Sequence, residues 1–255
     1  MGRIRTIRTE VIVLRERDFG EADCLLTLLT PGYGKLSAIA KGVRRPSSRK
    51  AGHLDLYMRS DVLLAKGRNL DVVTQAETLD AYRPVREDLL RSSYATYGVE
   101  LLDRFTPERE ANPSLYQLLT QALGWISTSE NLPLTARYYE LQLLALVGFM
   151  PELHHCVVNG ELVEPEDQFF DPVAGGAVCP SCGDGRSGGQ SITMSTLKIL
   201  RFLQRSAYSA LADLRVRPPV EAELEQVLLR YITVLLERQV KSVDFLKHVR
   251  RLAHE

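Results

Sequence analysis

The feature that most limits what this chain can fold into is a change of hydrophobic period near residue 82. Before it, apolar residues lie in short runs with loose period-two alternation, as in strands; after it they recur every three or four residues, as in helices. Five runs occupy the first 80 residues: 9–15, 24–29, 34–41, 56–65 and 70–77. The first is rich in β-branched residues. Asp18-Phe19-Gly20 and Thr30-Pro31-Gly32 supply turns, and Lys66-Gly67-Arg68-Asn69 reads as a hairpin connection. Strands this short and this evenly punctuated predict a small closed or partly open barrel.

The five-stranded Greek-key barrel called the OB-fold, whose usual ligand is an oligonucleotide or oligosaccharide, is the leading candidate; an SH3-like barrel is the structural alternative. In an OB-fold, residues 42–54 form a long loop between the third and fourth strands. Beyond Tyr82-Arg83-Pro84, residues Leu90, Tyr94, Tyr97, Leu101 and Phe105 share one face of a helix that starts near Pro84 and ends at Thr106-Pro107. The stripe Tyr94, Tyr97, Phe105 has the spacing of helical core rather than of a stacking platform. Asn112-Pro113 opens a second helix, with Leu115, Leu118, Leu119, Ala122, Leu123 and Ile126 inward. Leu132-Pro133 opens a third, carrying Tyr138, Leu141, Leu144 and Ala145, with Gly148 as its C-cap. Residues 151–190 then shift to Gly, Pro, Asp and Cys. Helices resume after the cap candidate Ser195 (Leu197, Leu200, Leu203), after Pro218-Pro219 (Leu224, Val227, Leu228, Tyr231, Leu235) and after Ser242 (Phe245, Leu246, Val249, Leu252). The predicted class is α+β and multidomain. It comprises an OB-fold barrel over residues 1–80 and an all-α domain over 81–255, with a zinc-ribbon-like insert at 151–190.

A formal net charge of zero hides an uneven distribution. Residues 1–80 hold 14 Lys and Arg against 10 Asp and Glu, a net of +4; the remainder holds 18 against 22, a net of −4. From residue 24 to 54 there is no acidic residue, so Lys35, Lys41, Arg44, Arg45, Arg49 and Lys50 have no acidic neighbour close in sequence. Pro46 and two serines keep the run irregular. Such a run suits a phosphate backbone, and equally a solvated surface loop. Arg15, Arg17 and Arg68 are further candidates by their place in the barrel. Neutralising Arg44, Arg45, Arg49 and Lys50 together is expected to lower affinity for such a polyanion, and its salt dependence, with the fold intact. No apolar run is long enough to span a bilayer. The basic start is followed by an apolar stretch too short for a signal peptide and interrupted by Arg15, and Gly2 with Thr6 fits the myristoylation pattern only loosely. A cytoplasmic protein with no membrane partner is expected.

Three of the four cysteines, Cys156, Cys179 and Cys182, lie in the insert. Cys179-Pro180-Ser181-Cys182 is a CxxC knuckle, a spacing that lets two thiolates face one metal. The residue where a partner for Cys156 would stand is Asn159. The fourth ligand is open among His154, His155, Asp184 and water; the competing reading is a ribbon that has lost its metal and is held by packing. The CxxC lacks the strand-to-helix context of a redox motif, and no HxE or HExxH spacing serves a catalytic metal. Cys24 reads as a small buried hydrophobe. Gly32 to Ser37 lacks phosphate-loop spacing and leads into a strand, so the helix dipole such a loop uses is missing. No GxSxG, GxGxxG or paired carboxylates stand out, and His53 stands alone. The chain therefore reads as a non-enzyme. Two other classes stay open: an interaction module in which the helical domain docks a partner and the barrel is scaffold, and a metal-dependent enzyme at the cysteines.

Several segments resemble a known family in order and spacing. They are Val11-Ile12-Val13-Leu14-Arg15, Asp18-Phe19-Gly20-Glu21-Ala22-Asp23, Leu26-Thr27-Leu28-Leu29-Thr30, and Gly34 to Gly42 with Arg44-Arg45-Pro46. Ala65 to Asp71 with Thr74-Gln75-Ala76-Glu77, Gly148 to Leu153, Cys156, Asp171 to Cys182, and Leu236 to Ser242 with Phe245-Leu246 extend the likeness over nearly the whole chain. They resemble the bacterial recombination mediators of the RecO family. The resemblance implies an N-terminal OB-fold, a helical domain and, in many members, an inserted zinc ribbon. It implies one structural zinc at Cys156, Cys179 and Cys182, with Asn159 departing from a cysteine that many members carry. It further implies binding of single- and double-stranded DNA without sequence preference, annealing of complementary strands, and action with RecR to load RecA onto strands coated by single-strand binding protein. None of these steps needs ATP hydrolysis. The implied location is the cytoplasm, at the nucleoid.

Overall fold

Alternation in the first run carries further than its β-branched centre suggests. In the computed structural model, which describes residues 6–184 and 188–253, strand β1 runs Thr6–Phe19. Gly2 and the basic residues around it lie outside the described residues. Strands β2 (Asp23–Thr30), β3 (Gly34–Ala40), β4 (Arg59–Ala65) and β5 (Asp71–Asp80) follow. They close into a barrel in the order β1-β2-β3-β5-β4. All pairs are antiparallel except β3 with β5, where Ala38 faces Asp71. This is the OB-fold topology. Alternate residues fill the interior: Val11 and Val13, Leu26 and Leu28, Leu36 and Ala38, Val62 and Leu64, and Val73 are all buried.

A register shift between Val13 and Arg15 marks a bulge in β1. Such an extra residue bends a strand and re-aims its side chains. Before it, the outer face carries Ile12 and Leu14, both buried; after it, the outer face carries Arg15, Arg17 and Phe19, all exposed. Gly34 opens β3 at a φ of 66°, and a Cβ there would collide with the backbone of Glu110.

Two compact units make up the chain, Met1–Ser129 with Ser242–Glu255, and Glu130–Lys241. The first thus takes in helices beyond the barrel: α1 (Arg83–Glu87), α2 (Leu89–Phe105), α3 (Pro113–Thr128) and the last helix. The sequence predicts one helix where α1 and α2 stand. Asp88 is extended and its carboxylate accepts from Arg91 N at 2.8 Å, capping α2 and ending α1. Tyr94, Tyr97 and Leu101 are buried, and Tyr57 of the barrel bonds Thr96 of α2 at 2.6 Å. All six inward residues expected of α3 are buried. The last helix, Ser242–Leu252, packs on α2, with its first N–H donated to the Glu100 carboxylate at 2.7 Å. An acidic group there suits the positive end of the helix dipole. Val243, Leu246 and Val249 face inward, whereas Phe245 and Leu252, expected inward, are exposed.

The second unit is built on α4 (Leu132–Leu146), buried on most sides, with Leu134, Tyr139, Leu141 and Leu144 among the most enclosed. Ala145, expected inward, is exposed. Helix α4 packs against the helices Met194–Arg205 and Pro218–Leu236. In chain order these follow β6 (Gln168–Asp171), β7 (Gly176–Val178), α5 (Pro180–Gly183) and β8 (Gln190–Ile192), so they are α6 and α7, and the last helix is α8. The cap of α6 is Thr193, whose hydroxyl accepts from Thr196 N, rather than Ser195. The three short strands form one sheet, β7-β6-β8. It is fastened to the helices by Arg201, which donates to Leu153 O at 2.6 and 2.9 Å, and by Phe170, edge-on to Tyr231 at 5.5 Å. No helix among the described residues is long and apolar enough to cross a membrane.

Candidate nucleic-acid interface and thiolate cluster

The connection between β3 and β4 has no helix or strand of its own, yet it is closely tied. Successive turns join Arg45 N to Gly42 O, Ser48 N to Arg45 O, Ala51 N to Ser48 O and His53 N to Lys50 O. Its start is held by Gly42 N donating to the Asp23 carboxylate at 2.7 Å and Arg44 N donating to Ala22 O at 3.0 Å. Its far end is held by His53 Nδ1 with Thr78 Oγ1 at 2.8 Å and by the Ser60 hydroxyl donating to His53 O at 2.5 Å. A loop fastened at both ends fixes where its side chains can reach.

The six cations singled out in the sequence separate into four groups. Lys35 is buried, 9 % exposed, and its ammonium donates to the carboxylate and the carbonyl of Asp103 at 2.8 and 2.7 Å. Lys50 points back into the loop, donating to Lys41 O at 2.9 Å and Val73 O at 3.0 Å. Burial pushes its pKa down, partly countered by Asp23. Arg44 is exposed and pairs with Asp18 at 3.0 Å, an ion pair that solvent screens. Lys41, Arg45 and Arg49 are exposed, and their side chains have no hydrogen-bond or ion-pair partner among the described residues. Of the further candidates, Arg15 pairs with Asp103, while Arg17 and Arg68 are exposed and unpaired among the described residues. Lys66, which sequence reasoning treated only as part of a hairpin, is also exposed. Its place beside Arg68 in the same turn was the available signal.

Around the ribbon sheet, the sulfurs of Cys156, Cys179 and Cys182 all lie within 4.8 Å of one another. Cys156 is buried and the other two are half-buried. Thiolates sharing one tetrahedral zinc sit about 3.8 Å apart, given Zn–S of about 2.3 Å, so the cluster has the dimensions and the soft donors of such a site. Burial pushes the Cys156 thiol up, but N–H groups of Cys179, Asn159 and Val158 together with the Cys179 side chain draw it down to about 7. That favours the thiolate a metal needs. Asn159 stands beside the group: its amide donates to Glu161 at 2.8 Å and lies 3.7 Å from the Cys179 sulfur. The other expected donors are elsewhere. The His155 ring faces Glu152 at 3.6 Å, and neither His154, His155 nor Asp184 joins the cluster among the described residues.

A closed five-stranded barrel in this strand order defines a class, the OB-fold proteins. Within that class the match is specific. Residues 3–82 match the family model for the N-terminal part of recombination protein O, and residues 86–244 the model for its C-terminal part. The chain is 38% identical to the DNA repair protein RecO of Roseiflexus sp. (strain RS-1), over 98% of this chain and 88% of that protein. It is 33% identical to the protein of the same name from Dehalococcoides mccartyi (strain BAV1), over 98% of both. To that of Symbiobacterium thermophilum it is 36% identical, over 94% of this chain and 96% of the relative. The chain belongs to the RecO family.

Proposed function

We propose that the chain is a recombination mediator in DNA repair whose barrel, residues 1–80, binds single- and double-stranded DNA through phosphates and without sequence preference. The observation that carries this reading is the tethered loop of residues 41–58, which holds Lys41, Arg45 and Arg49 in solvent with no counter-charge among the described residues. Arg44 joins them at the cost of one exposed ion pair, and Arg17 and Arg68 extend the surface. Fixed cations of this kind replace condensed counterions on DNA, and no base-reading geometry is needed. The same cations screen two complementary strands from each other, which is what annealing requires. Lys35 and Lys50 have a supporting part, one joining β3 to Asp103 and the other bracing the loop.

On this reading the protein works at the nucleoid with RecR to load RecA onto strands coated by single-strand binding protein. Cys156, Cys179 and Cys182 hold one structural zinc, with the fourth position beside Asn159. The metal's contribution is to cross-link the ribbon.

The test is annealing of two complementary fluorescent oligonucleotides, without nucleotide, across a salt series. The wild-type chain should accelerate annealing steeply at low salt. Replacing Lys41, Arg44, Arg45 and Arg49 together by glutamine should flatten the duplex-binding slope by about 3.6, from about 0.9 per charge, which is about 10³-fold in affinity at 0.15 M salt relative to a 1 M reference. A folded wild-type chain that never accelerates annealing would instead favour the barrel as scaffold for an interaction module.

A further inference from the structure

We propose that Phe19 is a stacking platform for an unpaired base, and that it gives the cationic rim of the barrel a preference for single-stranded over double-stranded DNA. This rests on the DNA-binding reading above and adds a residue and a selectivity to it.

Phe19 is the last residue of β1, 49 % exposed, and among the described residues no other aromatic ring packs on it. Its position follows from the bulge: past Arg15, alternate residues of β1 face outward, so Arg17 and Phe19 lie on one side of the strand. Across the ladder Phe19 is in register with Asp23, the residue whose carboxylate receives Gly42 N at the start of the basic loop. Its chain neighbour Asp18 faces the other side of the strand and pairs there with Arg44 at 3.0 Å. Lys41 follows Ala40, which pairs with Cys24, the partner of Asp18. The exposed ring therefore shares its face of the strand with Arg17, and Lys41 stands beyond Asp23 at the end of β3.

About half of this large apolar ring is left in water at a strand end. A flat apolar face among cations is what a flexible strand can use, since phosphates meet the cations while a base lies on the ring. Bases in a duplex are already stacked on each other and cannot reach it. Tyr33, the other exposed aromatic of the barrel at 45 %, is an internal contrast. It sits in the turn between β2 and β3, where β3 meets residues 108–110, and the cation there, Arg109, is paired with Asp71 at 3.5 Å. It has the ring without the cationic border.

The experiment compares affinities for an oligothymidine and for a duplex of equal length, at one salt concentration, for the wild-type chain and for Phe19→Ala, Phe19→Tyr and Tyr33→Ala. Phe19→Ala should lose about tenfold on the single strand and nothing on the duplex. Its salt slope should be unchanged, because no charge is removed. Phe19→Tyr, which keeps the ring, should retain the preference, and Tyr33→Ala should match wild type. An equal loss on both substrates, or no loss on either, overturns the proposal while leaving the phosphate-binding reading in place. A wild-type chain that binds neither substrate overturns both.

Discussion

The loop of residues 41–58 and the ribbon-like segment around Cys156 and Cys179 are both poor in regular structure, and they are ordered by different means. The loop is tied by backbone turns and by groups borrowed from the strands beside it: Asp23, Ala22, Val73 and Thr78. Three of its cations, Lys41, Arg45 and Arg49, are left for solvent and partner. The ribbon spends its special residues on itself. Its thiols converge, Glu152 receives the backbone N–H groups of His154 and His155, and the Gly176 backbone lies so close to Glu152 that a Cβ would collide with it. A segment whose reactive groups face inward is built for stability; one whose charged groups face outward is built for contact.

The largest expected effect tests the first half of that contrast. Structural zinc supplies about 10–16 kcal/mol in small metal-folded peptides. Even about 3 kcal/mol of it, lost locally, speeds amide exchange by about 10². Removing metal with a chelator should release one zinc per chain and accelerate exchange through residues 152–183 by at least that factor. Exchange in β2 and β3 should stay as it was. Equal protection before and after, with no metal released, would show that packing by Arg201 and Tyr231 holds the ribbon by itself.

Lys35 sharpens the contrast within the barrel, because it belongs in sequence to the basic stretch and in space to the core. Lys35→Met removes the ammonium that donates twice to Asp103 and leaves that carboxylate to Arg15. A buried, hydrogen-bonded pair broken from one side costs about 2–4 kcal/mol, read as a lower denaturant midpoint. The salt slope of DNA binding should not change. A slope reduced by one charge, with stability intact, would return Lys35 to the phosphate surface.

What was legible in the sequence follows from range. The strands and the helices opened by Asn112-Pro113 and Leu132-Pro133 are carried by neighbours a few positions apart; the convergence of Cys156 with a CxxC that begins 23 residues later was legible from ligand chemistry instead. The fate of each lysine is not: Lys35 finds its partner at Asp103 and Lys50 at Val73, and no local window contains both ends. The same holds for the ligand candidates. His154 and His155 adjoin Cys156 in sequence, but the chain turns there on Glu152, and it is Asn159 that lies next to the sulfurs. Leu246 and Val249 face inward as the spacing predicts, but α8 completes that face with Val243, and Phe245 and Leu252 at its edges are exposed. The break at Asp88 was readable, since an aspartate before an apolar run is a helix-start signal. It was overridden by the proline four residues earlier.

The smallest expected effect lies where the barrel's charges crowd each other. Partial burial raises the pKa of Glu16 above its ordinary value; Asp55 and Asp18 add to the rise and Arg86 opposes it. An acid whose folded pKa is raised binds its proton more tightly when folded. The stability this contributes is present in full below the ordinary value of 4.5 and is lost as pH climbs through the raised value. Glu16→Gln keeps the shape and removes the charge. It should therefore leave stability nearly unchanged at pH 4 and raise it slightly at pH 7, with the wild-type decline between them flattened. Glu16 is exposed at its edge, so solvent screens much of the repulsion and the gain is small. Denaturant midpoints of both chains at the two pH values read it directly. A variant less stable than wild type at pH 7 would mean that Glu16 is held charged by Arg86, and that this mouth of the barrel is balanced rather than strained.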